Sequence, residues 1–321
     1  MNVIQARNLW KQYGSFITGK VIALHNLNMD VPKGKIYGLI GPNGAGKTTL
    51  FKLIMGFIKP TKGELYVLGR DVRKNDDYKL KVGYVPEKMP LPKYTAYDFV
   101  YICGLLSGLS KDVSRERTKQ LLKWLEIERK SHQVVTTLSA GEQKRVIIAS
   151  ALVHNPEILL LDEPTSNLDI FSRQSLLEKL AELSKEGKTI LISSHVLGEV
   201  EQISDMLGIL YNGRLIFEGT ISDAYGLGET NVISYLICGE KMKLLKQCLE
   251  EKIKILNTDL RSGALSVQVE LSQFNDFWKA FLNCCNENNI IVYEFRSKTK
   301  LEDVISRIIG LVEEESQFDS T

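Results

Sequence analysis

The chain has 321 residues, 44% apolar and 25% charged, a balance typical of a soluble globular protein and long enough for one large or two ordinary domains. Its 41 Lys and Arg nearly cancel 39 Asp and Glu, so no broad cationic field points to nucleic acid or an acidic membrane surface. Five cysteines without a Cys-x-x-Cys pair argue for reduced thiols and against a disulfide framework or a zinc site.

The first residues lack the apolar core of a signal peptide. The longest apolar runs, around Val146–Val153 and Ile158–Leu161, fall far short of the ~18 residues that span a bilayer. The expectation is a chain that does not itself cross a membrane.

In chain order, Val3–Leu9 and Leu24–Val31 read as short strands with period-two alternation. Ile36–Ile40 is an apolar strand running into a Gly-rich turn, followed by a helix from about Lys47 to Met55. Leu65–Leu68 and Lys81–Val85 are further strands. From Tyr97 to about Trp124 the pattern is helical, an insert between two halves of a core; the whole helical subdomain is expected over about residues 95–155. The helix Ser139–Val153 stops at Asn155-Pro156. Ile158–Leu161, Thr189–Ser193 and Met206–Tyr211 are strands, with a helix from Ser172 to Lys185 and Gly187 as its C-cap. This alternation predicts a mixed, mostly parallel sheet. The pattern changes at a Gly-rich linker, Gly226-Leu227-Gly228-Glu229, which divides the chain into domains 1–224 and 225–321. Beyond it come strand Val232–Cys238, helix Lys241–Lys252, a hairpin of Ile253–Asp259 and Ala264–Leu271 around Arg261-Ser262-Gly263, helix Ser272–Asn286 and strand Ile290–Arg296. That βαββαβ order suits a small α+β, ferredoxin-like unit. A last helix, Leu301–Glu313, fades into an acidic tail.

Gly41-Pro42-Asn43-Gly44-Ala45-Gly46-Lys47-Thr48 fits the phosphate-loop pattern. Its glycines let backbone N–H groups wrap phosphate oxygens, Lys47 reaches the β and γ phosphates, and the Thr48 hydroxyl, followed by Thr49, is placed to ligate magnesium. The helix N-terminus adds its own pull on the anion. Asp162 ends a buried strand, where it can hold magnesium or its water. Glu163 follows at once, where a general base would polarise the attacking water. His195 follows the neighbouring strand and could sense or position the γ-phosphate. Ser139 and Glu142 fit a capping box, which alone explains a well-made helix start. That start is also an anion site, with Ser139 and the Gly141 N–H facing outward.

Phosphate loop, Leu138-Ser139-Ala140-Gly141-Glu142, Leu159-Leu160-Leu161-Asp162-Glu163-Pro164, Ser166-Asn167-Leu168-Asp169 and His195 occur in that order. Together they resemble the ATP-binding cassette (ABC) family over roughly residues 1–220. The resemblance implies a P-loop NTPase core with an antiparallel β portion and a helical insert. It implies two cassettes packed head to tail, as a homodimer or with a related cassette, each sandwiched ATP with Mg2+ touching the phosphate loop of one copy and the Ser139 segment of the other. Tyr13 would stack on adenine, with Phe16 the second candidate, and Asp169 would lie across the dimer seam. Two departures stand out. Ala140 and Glu142 replace Gly and Gln of the usual Leu-Ser-Gly-Gly-Gln, and the added charge of Glu142 could weaken closure unless it caps its own helix or meets a cation. Glu87, in Val85-Pro86-Glu87, replaces the family's glutamine; its oxygen could still serve the metal or water.

The expected function is therefore the ATP-hydrolysing subunit of a transporter, peripheral on the cytoplasmic face of the membrane and driving separate permease subunits. A groove for a permease helix is expected from Tyr97–Trp124 and Glu87–Tyr94. Two alternatives fit less well: a soluble cassette acting on DNA or ribosomes, and a P-loop GTPase, for which no Asn-Lys-x-Asp segment exists. The C-terminal domain and Leu301-Glu302-Asp303-Val304 resemble exporter cassettes, and the C-terminal domain is expected to serve dimerisation or regulation.

Overall fold

In a computed structural model, residues 1–310 are described except 16–18, 228–231, 239–240, 256, 262–263, 270–272, 298–300, 302–303 and 307. The chain forms two compact units, Met1–Ile221 and Ser222–Thr321. Unit one runs β1 (Asn2–Ser15), β2 (Gly19–Pro32), β3 (Ile36–Ile40), α1 (Lys47–Ile54), β4 (Lys62–Val67), β5 (Arg70–Asp71), β6 (Val82–Val85), α2 (Ala96–Leu106), α3 (Lys111–Trp124) and α4 (Ala140–Leu152). It continues with β7 (Ile158–Asp162), α5 (Ile170–Lys185), β8 (Thr189–Ser194), α6 (Leu197–Ile203), β9 (Met206–Tyr211) and β10 (Arg214–Thr220).

Two sheets organise this unit. An antiparallel sheet has the order β2-β1-β4-β5, and a six-stranded sheet has the order β10-β9-β3-β8-β7-β6. In the second, β9, β3, β8, β7 and β6 are parallel and only β10 is antiparallel. Every residue of β3, β7 and β8 is buried, which is why these strands read as unbroken apolar runs and not as alternation. Because β6, β7, β8 and β3 lie side by side and parallel, their carboxyl ends share one edge. The segments carrying Glu87, Asp162-Glu163, His195 and the phosphate loop all leave from that edge.

The sequence undershoots β1 and β2, which are paired for 14 residues each. Register shifts within the pair, with Asn8 and Asn26 at φ 47 and 50, break the alternation that marks a strand. Strand β10 and helix α6 were not expected. The signal for β10 was there: Asn212-Gly213, at φ 47 and 77, is the Asn-Gly hairpin turn with both central residues in the left-handed region.

Unit two contains most of α7 (Ile221–Leu227), then β11 (Val232–Cys238), α8 (Met242–Lys252), β12 (Asn257–Arg261), β13 (Ala264–Val269), α9 (Phe274–Glu287) and β14 (Val292–Ser297). Its strands pair antiparallel in the order β12-β13-β11-β14, the split βαβ arrangement. Tyr225–Leu227 belong to α7 and not to a loop; 228–231 and the hairpin turn 262–263 lie outside the described residues. Of the expected last helix, residues 301, 304–306 and 308–310 are described and helical.

One expectation is overturned. Cys248 on α8 and Cys284 on α9 form a disulfide across 36 residues, whereas Cys103 and Cys285 are free. The two helices pack through Leu245, Leu249, Phe277 and Phe281, and this contact brings the two Cα atoms to 5.9 Å, inside disulfide range. Counting and spacing of cysteines could not reveal a contact made by tertiary packing. Chain-entropy reasoning puts its contribution at about 3–4 kcal/mol for a loop of this size. Digestion without reductant should yield a peptide pair joined through Cys248 and Cys284, and Cys284→Ser should lower the melting temperature of unit two. Ready alkylation of both cysteines in unreduced protein would contradict the bond.

Candidate functional site

The site begins where β3 ends. α1 starts at Lys47 with Gly46 as its N-cap at φ 112, a conformation that a side chain resists. No acidic residue sits in the first turn of α1, so the positive end of the helix is left for an anion. Lys47 is 7% exposed; its ammonium donates to the carbonyls of Gly41 at 2.6 Å and Pro42 at 3.3 Å and lies 3.6 Å from Glu163 Oε1. A cleft of about 370 Å³ opens beside the loop. It is lined by Pro42 through Thr49, Glu87, Asp162, Glu163 and His195, together with Ser166, the first residue of the Ser166–Asp169 motif, and Ala23, which the sequence does not single out. Gly41 lies at the base of the loop as a partner of Lys47.

The acids are held by hydroxyls. Thr48 Oγ1 donates to Asp162 Oδ2 at 2.7 Å and Ser193 Oγ to Asp162 Oδ1 at 2.6 Å. Ser193 also accepts the Glu163 N–H at 3.0 Å, so one unpredicted serine fixes two successive acids. It stands opposite Asp162 in the β7–β8 register, a relation only sheet pairing reveals. Glu163 itself is in the left-handed region at φ 48, strain of the kind that collects at functional sites. Its Oε2 lies 2.7 Å from His195 Nδ1, and its Oε1, though buried, has no hydrogen-bond partner. An ionised carboxylate only accepts, so the hydrogen of this contact belongs to Nδ1.

The donor set fits magnesium. A threonine hydroxyl and a carboxylate meet at the cleft wall beside Glu87, hard oxygen ligands of the kind Mg2+ combines with phosphate oxygens and water. Lys144 approaches the same acids from α4. Burial lowers its pKa, while the charges of Glu87, Asp162 and Glu163 oppose that shift. Glu87 lies 3.7 Å from Lys88.

The Ser139 segment is elsewhere. Ser139, Gly141, Glu142 and Asp169 are not among the residues lining the cleft. Ser139 accepts from the Glu142 N–H, and Glu142 Oε2 accepts from the Ser139 N–H at 3.0 Å. Lys130 Nζ donates to Glu142 Oε1 at 2.7 Å. Both conditions for neutralising the added charge are met: Glu142 caps its own helix and it meets a cation. Gly141 is needed for packing, since a Cβ there would sit 2.9 Å from Ser172 Oγ on α5. Asp169 caps α5, accepting from the N–H groups of Phe171 and Ser172 at 3.0 Å. The two capped helix starts are thus neighbours. Tyr13, on β1 opposite Val21, is 38% exposed with Lys11 Nζ 5.0 Å above its ring, and it does not line the cleft; Phe16 lies outside the described residues.

Chiefly the Lys130 hydrogen bond holds the Glu142 carboxyl below the usual carboxylate range. Because the folded value is depressed, the stabilisation is present above the ordinary carboxylate pKa and fades as pH falls through the folded one. Glu142→Gln keeps a capping acceptor but not the ion pair. It should lower stability at pH 7 by about 1 kcal/mol or less, and this difference should shrink as the pH is lowered beneath the ordinary carboxylate range. Thermal melts at pH 7 and over an acid series measure it; a gap that does not shrink in acid would contradict the assignment.

The ABC transporter family model matches residues 24–166. The lantibiotic transport ATP-binding protein SrtF of Streptococcus pyogenes is 37% identical over 228 residues, 71% of this chain and 95% of that one. The bacitracin transport ATP-binding protein BcrA of Enterococcus faecalis is 32% identical over 312 residues, 96% of each chain. Among solved structures, a dimeric ATP-binding cassette in a post-hydrolysis state with ADP and phosphate is similar, with TM-score 0.63 and 29% identity over 68% of this chain and 98% of that one. With its cleft, its paired acids and these relatives, the chain belongs to the ABC transporter family as an ATP-binding, ATP-hydrolysing subunit.

Proposed function

We propose that two copies of this chain, or one copy and a related cassette, close head to tail on two ATP molecules and drive a separate permease. The observation that carries this reading is the separation of the two anion sites. One chain holds a complete cleft at Gly41–Thr48, while the capped helix start at Ser139 takes no part in lining it. A partner's nucleotide is the natural ligand for that second site.

Within the cleft, Lys47 would leave its carbonyl partners for the β and γ phosphates. Thr48, Asp162 and Glu87 would hold Mg2+, which when bound offsets charge on the phosphates. Glu163 Oε1, buried with no hydrogen-bond partner and 3.6 Å from the Lys47 ammonium, is the acceptor for a proton of the attacking water once Lys47 turns to the phosphates. His195 holds the other oxygen of Glu163 and so aims it, and it stands in the cleft where a γ-phosphate would be met. Tyr13 is the aromatic for the adenine, and Asp169 lies beside the Ser139 segment, where a dimer seam would run.

No helix among the described residues is long and apolar enough to cross a membrane. Permease subunits on separate chains, and a place at the cytoplasmic membrane face, rest on the ABC transporter relatives. Relatives named for lantibiotic and bacitracin transport and for Nod factor export favour export, with peptide antibiotics as the first cargo class to test.

Glu163→Gln should cut turnover by roughly a hundredfold or more and leave a stable ATP-bound dimer in size-exclusion chromatography. A variant that remains monomeric at saturating ATP and magnesium, with its permease present as well, would refute the sandwich. Ser139→Arg should block hydrolysis yet leave nucleotide binding by the monomer within about threefold of the native value. Loss of both together would mean that the segment serves its own cleft.

A further inference from the structure

Glu199, in the first turn of α6, is 4% exposed. Its Oε2 accepts the Thr165 hydroxyl at 2.6 Å and the Ser194 hydroxyl at 3.1 Å. Its Oε1 lies 3.0 Å from Arg173 Nε, off-line for a hydrogen bond, so this contact is an ion pair by charge alone.

The three partners come from three segments, and each segment carries a residue of the site. Thr165, 2% exposed, stands two residues after Glu163. Ser194 directly precedes His195. Arg173 opens α5, and its N–H donates to the carbonyl of Asp169 at 3.0 Å. The stretch from Glu163 to Asp169 also holds two strained residues, Glu163 at φ 48 and Asn167 at φ 62, with Thr165 between them. Left-handed backbone at non-glycine positions persists only where the surroundings hold it. Burying a carboxylate merely to fill space is unfavourable, because an apolar side chain would serve as well or better. Glu199 does not line the cleft.

We propose that Glu199 is a positioning residue for hydrolysis: one buried carboxylate pins the Glu163 turn, the His195 turn and the start of the Asp169 helix into a single rigid unit. Glu163 and His195 must meet at 2.7 Å, and their backbones arrive from different strands. Glu199 ties those two backbones together just outside the reacting atoms. Through Arg173 it ties them also to the segment assigned to the dimer seam, so a shift of Asp169 on closure is passed to the catalytic pair. This rests on the roles given to Glu163 and His195.

The test is steady-state ATP hydrolysis by the full chain, with nucleotide binding and thermal melting measured in parallel. Glu199→Gln should lower kcat by roughly ten- to a hundredfold, the loss expected when a catalytic group is displaced by about an ångström. KM for ATP should stay within about twofold, because the phosphate loop is untouched. Thr165→Val, which leaves the Arg173 ion pair in place, should show a smaller fall of the same kind, and it supplies the test if the glutamine variant does not fold. The double variant should lose less than the product of the single losses, as members of one network do. An unchanged kcat, or kcat and KM worsening in step with a lower melting temperature, would overturn the proposal and leave a structural carboxylate. If Glu163→Gln itself hydrolyses ATP normally, the underlying assignment fails and not the clamp.

Discussion

The rest of the site depends on one interaction, the double capture of the Asp162 carboxylate by the hydroxyls of Thr48 and Ser193. Thr48 stands on the helix that presents the phosphate loop, and Ser193 stands on the strand that leads to His195. Asp162 is 1% exposed, and a buried carboxylate without such donors would be strongly unfavourable. The same bonds therefore satisfy the acid and align the nucleotide cradle with the two segments that bear Glu163 and His195. Parallel pairing of β7 with β8, and of β8 with β3, makes this possible by ending three strands at one edge.

A second layer of charged contacts surrounds that centre. Lys47 turns back onto its own loop and toward Glu163, so the cation expected to meet phosphate is already within the site. Lys144, buried on the helix that begins at Ser139, faces the acids of the same chain. Ser139 at the start of that helix is exposed, whereas Lys144, little more than one turn on, is buried within the field of these acids. The charge of Glu142 is absorbed locally by Lys130 and by the helix cap, with Ser139 as the N-cap and Gly141 buried against α5.

Much of this was legible in the residues. The phosphate loop, Asp162, Glu163 and His195 could be named because their chemistry demands particular side chains directly after strands that are themselves recognisable as apolar runs. What stayed hidden were groups defined by contact. Ser193 is an ordinary strand serine until its register with Asp162 is known. Glu199 looks like a polar residue on a short helix until Thr165, Ser194 and Arg173 close around it. The Asn212-Gly213 turn is a local hairpin signal carried by the residues themselves, whereas the full lengths of β1 and β2 are obscured by the bulges that interrupt their alternation.

By itself, the sequence determined the family, most of the strands and helices in their order, and the candidate groups for a phosphate site. These are local properties, set by turn chemistry, side-chain type and periodicity. Only the tertiary structure decided that Ser193 bonds Asp162 and the Glu163 N–H, and that buried Glu199 accepts from Thr165 and Ser194. It alone joined Cys248 to Cys284, and it left the Ser139 helix start out of the cleft its own chain builds. Each of these depends on which distant segments pack side by side, and the free energy of that packing belongs to the assembled core and not to any stretch of chain.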